Sequence, residues 1–207
     1  ALNCVSSGGA GVGGYRRSYV DGMASIVTWG RRRGPVGTLV YTSSTSVYPQ
    51  GGGALVDESA PTELASERGQ LLLEAEARLR GGTGACARWF LLRLAGIYGP
   101  GRHQLVDQVR GGEVPGVGSR HLNLVHRDDI VAAILACFAA PAIVANEIFN
   151  VADDGAAIKA DVVSWLAAQL GLRAPRFTGE TAGDRRSHVP DRIIVNAKLK
   201  ARLGWRP

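Results

Sequence analysis

The sequence predicts an α/β fold, a parallel sheet whose strands are joined by crossover helices. Strand-length apolar runs alternate with helix-length runs in the order β-α-β-α-β over the first 98 residues. The strand at 39–41 is apolar without polar alternation, as expected where both faces of a sheet are covered. Between the first two strands, Tyr15, Tyr19, Met23, Ile26 and Val27 recur at helical spacing and make one apolar face.

The elements follow in chain order. "LNCVSS" (2–7) reads as a strand, "YRRSYVDGMASIVTWGRR" (15–32) as a helix and "GTLVYTSS" (37–44) as the next strand. "SERGQLLLEAE" opens a helix running to about Arg80, with Ser66 as N-cap, Glu67 in the first turn, and Leu72, Ala75 and Leu79 on one face. "RWFLLRLAGIY" (88–98) is a strand. Past Gly99 the chain turns Gly- and Pro-rich before a strand-helix pair, "HLNLVHRDDIVAAILACFAA". Asp128 and Asp129 there read as first-turn acids and amide caps. A strand, "NEIFNVAD", and two helices, 158–170 and 196–203, follow.

Composition narrows the classes. The 207 residues are 45% hydrophobic, enough for one substantial core with a small appended lobe. No run approaches the 18 or so apolar residues of a membrane span, so a membrane partner is not expected. Cys4, Cys86 and Cys137 are odd in number and set in apolar runs, which favours buried free thiols in a reducing compartment, the cytoplasm by default. The net charge of +6 comes almost wholly from scattered arginines, and with no basic stripe or stacking aromatics it reads as solvated surface, not a nucleic-acid partner. His103, His121 and His188 lack metal-ligand spacing, and no metal is expected.

"GGAGVGG" (8–14) places Gly9, Gly11 and Gly14 at dinucleotide-fingerprint spacing. The acidic residue required about twenty positions on is missing, since the next strand ends in "TSSTS". With 28 glycines in the chain, a strand-to-helix loop is the favoured reading.

Five ordered motifs carry a more specific signal: "LVYTSSTSVYPQ" (39–50), "LLRLAGIYGPGR" (91–102), "NLVHRDDIVAAI" (123–134), "EIFNVADD" (147–154) and "NAKLKARLGWRP" (196–207). Together they resemble the NAD-dependent epimerase/dehydratase family, the extended short-chain dehydrogenase/reductases. The resemblance implies a Rossmann-like doubly wound parallel sheet binding NAD or NADP, a C-terminal lobe over a small-molecule substrate that is often a nucleotide sugar, and a homodimer. Residues 1–154 would form the cofactor domain, with a lobe insertion at about 99–122, and 155–207 the substrate lobe. The register puts Leu2–Ser7 at the fourth strand, so that the adenosine half of the cofactor site would lie upstream of Ala1.

The resemblance also assigns residues. Val5, Ser6, Ser7, Ser43 and the backbone of Leu94, Ala95, Gly96 and Ile97 would contact the cofactor, and Ser44 the reacting oxygen. Arg120 and Arg192 would reach a substrate phosphate. The family's tyrosine, its lysine one turn on and a supporting asparagine fall on Arg68, Leu72 and Tyr19. This pattern resembles the atypical branch that lacks the Tyr-x-x-x-Lys pair. A guanidinium keeps its proton near neutrality and leucine cannot hold a ribose, so any chemistry would use Ser44 with Arg68 as a nonstandard partner. Arg68 reads equally as a fork for phosphate or carboxylate and as an exposed arginine beside Glu67. Gly96 stands where many sugar-acting members carry asparagine. The alternative is a catalytically silent ligand-sensing protein of the same fold.

Overall fold

A computed structural model describes residues 1–7, 11–179 and 190–207, so Gly9 of the glycine run and His188 lie outside the described residues. The chain order is β1 (Leu2–Asn3), α1 (Gly11–Arg16), a turn of wide helix at Arg17–Asp21, α2 (Gly22–Arg33), β2 (Val36–Ser44), β3 (Ala54–Val56), α3 (Glu67–Arg80), β4 (Cys86–Leu94) and β5 (Gly96–Tyr98). It continues with α4 (Gln104–Arg110), β6 (Glu113–Val114), β7 (His121–Leu122), β8 (Leu124–His126), α5 (Arg127–Ala139), β9 (Glu147–Val151), β10 (Ala157–Ile158), α6 (Lys159–Gln169), β11 (Arg176–Phe177), β12 (Arg192–Ile194) and α7 (Ala197–Leu203).

The central sheet is parallel throughout, in the order β1-β2-β4-β9. Its faces separate by residue parity, as side chains alternate along a strand. Leu39, Tyr41 and Leu91 meet Met23 and Val27 of α2 and Ala75 and Leu79 of α3. Val40, Phe90 and Leu92 face the other way, toward Ile130, Ala133 and Cys137 of α5. The sheet is thus covered on both sides, which is why its strands carry unbroken apolar runs. Tyr41 is the exception in chemistry: its hydroxyl is buried and, among the described residues, has no hydrogen-bond partner at normal geometry, the nearby Ser43 hydroxyl being given to Glu76. Leaving such a group unpaired costs about 1–3 kcal/mol, so Tyr41→Phe is expected to be neutral or to raise the urea midpoint.

Several expectations are corrected. The glycine run is not a loop to Gly14: the helix begins at Gly11, and Gly14 is buried within it. That helix then widens at Arg17–Asp21, and Tyr19, four residues after Tyr15, packs on it with ring centroids 4.5 Å apart. The run at 88–98 is two strands. The amide of Ala95 donates to Val151 O at 3.0 Å and that of Gly96 to Asn123 O at 3.0 Å, so the chain leaves the main sheet and pairs β5 with β8. A Cβ on Gly96 would sit 3.1 Å from Asn123 O, which accounts for glycine there. The cap of α5 is His126, whose Nδ1 accepts from the Asp128 amide at 3.3 Å; Asp128 and Asp129 occupy the first turn without capping it. Of the cysteines, Cys137 is buried but Cys4 is exposed.

The Gly-rich stretch after Gly99 holds α4, which packs with α6 in a separate small core of Val109, Val114, Val163 and Ala167. The C-terminal stretch divides its packing. α6 and β11 join that small core, while β12 pairs with β3, and Leu199 and Trp205 enter the main core. Asp191 ties the two regions, accepting from the His121 amide and contacting His121 Nδ1, each at 2.9 Å. The His121 amide and ring hold the Asp191 carboxyl below the usual carboxylate range. Its folded value is therefore depressed, and its stabilisation is complete above the unfolded carboxylate pKa and lost as pH falls toward the folded one. Asp191→Asn should flatten the loss of thermal stability as pH falls below about 4.

Candidate functional site

In an open parallel sheet, ligands bind outside the carboxyl ends of the strands. Here that edge is formed by Val5–Ser7 after β1, Ser44 at the end of β2, and the first turns of α1 and α3, which start from this side. Val5 and Ser6 are exposed and Ser7 is half-buried. The Val5 amide turns back to Asn3 Oδ1 at 3.3 Å.

Ser43 and Ser44 point to opposite faces. Ser43 is buried and donates to Glu76 Oε1 at 2.7 Å, so its hydroxyl is committed to the interior and cannot also serve a cofactor. Ser44 is half-exposed, and its oxygen accepts from the Ser46 amide at 3.2 Å, starting the tight turn Thr45–Val47. That bond leaves the Ser44 proton available to donate. α3 is pressed against the turn through Gly69, where a Cβ would lie 3.0 Å from Ser46 O. Ser66 caps the helix as expected, accepting from the Gly69 amide at 3.3 Å.

Arg68 and Leu72 follow on the same helix. Leu72 is 1% exposed and belongs to the main core, so no cation stands one turn after Arg68. Arg68 is half-buried, with its guanidinium carbon 4.9 Å from the centroid of the Tyr15 ring. Desolvation and the neighbouring Tyr19 push the Tyr15 phenol up to about 12, against the opposing charge of Arg68. Tyr15 therefore stays protonated across the physiological range. It was not recognised from the sequence as a site residue, because its place on the apolar face of the first helix explains it fully there.

Beneath the edge lies a polar row the sequence did not reveal. Ser43, Arg93 and Asn150 are paired across β2, β4 and β9. Arg93 donates to Glu76 through Nε at 3.1 Å and Nη2 at 2.7 Å, and through Nη1 to Tyr48 at 2.9 Å. Tyr48 donates in turn to Asn150 Oδ1 at 2.8 Å. All five side chains are buried.

The remaining predicted contacts scatter. The amides of Ala95 and Gly96 are bonded to the carbonyls of Val151 and Asn123, Leu94 and Ala95 are buried, and Gly96 is exposed. Arg192 is a correction: it is 5% exposed and its guanidinium donates to Tyr48 O at 2.7 Å and Thr45 O at 3.0 Å, bracing the turn after Ser44 from below instead of facing solvent. Arg120 is half-buried and lies in the field of Asp191. Among the described residues no group of three or more His, Cys, Asp or Glu side chains could hold a metal ion.

No family model matches the chain. Protein YeeZ of Escherichia coli K12 is 33% identical over 167 residues, which are 81% of this chain and 57% of that protein. The chain therefore spans little more than half the length of this relative. Among solved structures, UDP-glucuronic acid 4-epimerase from Bacillus cereus in complex with NAD covers 100% of the chain at a TM-score of 0.82, with 18% identity and 68% of its own chain covered. DesIV, the dTDP-glucose 4,6-dehydratase of Streptomyces venezuelae solved with NAD bound, covers 95% of the chain at a TM-score of 0.77, with 22% identity and 63% of its own chain covered. The chain has the α/β fold, built on a parallel central sheet, of these NAD-bound epimerase and dehydratase structures.

Proposed function

We propose that the chain is part of an NAD(P)-dependent epimerase/dehydratase-like oxidoreductase of the atypical branch, acting on a sugar nucleotide or a related small hydroxyl or carbonyl compound. The observation that carries this reading is Ser44, half-exposed at the carboxyl end of β2 and held against the start of α3. The fold shared with NAD-bound structures supports it. The donor set suits the nicotinamide end of a cofactor: Ser6 and Ser7 follow β1 and Ser44 ends β2. When bound, such a cofactor gives or takes a hydride. Ser44 would donate a hydrogen bond to the reacting oxygen, aligned by the Ser46 amide behind it.

In this reading residues 1–154 form the cofactor-binding part, with 99–122 inserted, and 155–207 form the substrate lobe. Leu2–Ser7 corresponds to the fourth strand of a longer sheet, and the adenosine half of the cofactor is held upstream. A cytoplasmic homodimer completes the proposal; no helix among the described residues is long and apolar enough to cross a membrane. Titrating NADH and NADPH by fluorescence tests the cofactor assignment, with the protein carrying the polypeptide encoded upstream of Ala1. Saturable binding of either is expected, and binding of neither would overturn it.

A second reading, a catalytically silent ligand sensor, is favoured by one observation: the position one turn after Arg68 is a buried leucine, which removes the cation that would hold a ribose. Cofactor binding without turnover on sugar nucleotides or simple carbonyls would select it.

A further inference from the structure

Arg68 differs from the other arginines withdrawn from solvent in having no acceptor among the described residues. Arg88 donates to Thr38 Oγ1 and to the carbonyls of Ala140, Pro141 and Val144. Arg93 is paired with Glu76, and Arg192 with two backbone carbonyls. Arg68 instead lies over Tyr15, with its guanidinium carbon 4.9 Å from the ring centroid. Tyr19 backs that ring at 4.5 Å from centroid to centroid, with the planes tilted 49°. The two tyrosines, four residues apart on the helix, share one face.

A guanidinium stacked by its face keeps its edge for hydrogen bonding, and that edge presents two parallel N–H groups to a planar pair of oxygens. Stacking also removes much of the side chain's freedom before a ligand arrives, so less entropy is lost on binding. Arg68 immediately precedes Gly69, the residue through which the start of α3 packs on the turn that begins at Ser44. From the stacked, acceptor-free guanidinium of Arg68 on Tyr15, we propose a carboxylate-binding subsite next to Ser44. The substrate it selects carries a carboxylate on or near the reacting carbon, as in a uronate or a hydroxy or oxo acid.

A carboxylate is favoured over a phosphate on charge and shape. The fork matches two coplanar oxygens, and the neighbouring Arg16 is already paired with Glu74, so its charge is not free for a second negative charge. The inference specifies the substrate class for the site proposed above, but the subsite itself needs no cofactor.

The test is calorimetry or ligand-observed NMR on the chain alone, with sodium glucuronate, neutral glucose and inorganic phosphate as probes. Glucuronate is expected to bind and glucose not. Arg68→Leu should weaken glucuronate binding roughly tenfold or more, and Arg68→Lys should recover only part of it. Tyr15→Leu should weaken it by a smaller factor while Tyr15→Phe, which keeps the ring, leaves it nearly unchanged. Unchanged thermal midpoints in these variants show that the fold is retained. Equal binding of glucose and glucuronate, tighter binding of phosphate, or indifference to Arg68→Leu would overturn the subsite. Arg68-dependent glucuronate binding in a protein that takes up neither NADH nor NADPH would uphold it and count against the cofactor assignment alone.

Discussion

Glu76→Ala is expected to cost about 3–5 kcal/mol of unfolding free energy, the largest stability effect of any single change considered for this chain. The carboxylate is 2% exposed and accepts from Ser43 and twice from Arg93, which is itself buried. Removing it leaves a guanidinium in the interior with Tyr48 as its remaining hydrogen-bond partner. Urea unfolding followed by circular dichroism measures the loss. The double variant Glu76→Met, Arg93→Leu should recover much of it, because apolar replacement of both charges removes the desolvation cost along with the attraction. If Glu76→Ala costs less than about 1 kcal/mol, the pair contributes no more than a surface salt bridge and the described network is wrong. A cost confined to stability would also show that the row acts as scaffold. It ties α3 to the sheet and, through Tyr48 and Asn150, to the carbonyls of Val56 and Val195 near the lobe.

Ser44→Ala is expected to lower turnover by about a hundredfold or more in the enzyme reading, the range found when one transition-state hydrogen bond is deleted. The substitution should leave the fold intact, because Ser44 makes only a local bond to the Ser46 amide at the head of a three-residue turn. Steady-state rates, with substrate binding measured separately, distinguish the two readings. An unaltered ligand response with no turnover in either form describes a sensor. A fall in kcat with little change in binding describes a group that acts on the reacting oxygen.

Much of the fold was legible because the strands of a doubly covered sheet carry unbroken apolar runs, and because Ser66 and the helical spacing after it mark the start of α3. What was missed has physical causes. α4 is short and lies between glycines, in "GRHQLVDQVRGG", and its stability comes from contact with α6, which no local pattern encodes. Arg192 looked like surface because arginine usually is. Only the tertiary fold brings the carbonyls of Thr45 and Tyr48, well over a hundred residues away in the chain, to its guanidinium. The break after Leu94 depends on a change of hydrogen-bond partner, again a long-range fact. At the site itself, Arg68 and Leu72 were placed by the family resemblance, and Ser43 and Ser44 were read together. The pleat separates them, giving one to the interior and the other to the edge.

The central claim is that the carboxyl edge formed by Ser6, Ser7 and Ser44 accepts the nicotinamide end of a cofactor without a Tyr-x-x-x-Lys pair. The most direct measurement is a fluorescence titration with reduced nicotinamide mononucleotide, which carries that end alone. Saturable binding weakened by Ser44→Ala and little affected by Leu72→Met is the expected result; no saturable binding, or binding indifferent to Ser44, would contradict it.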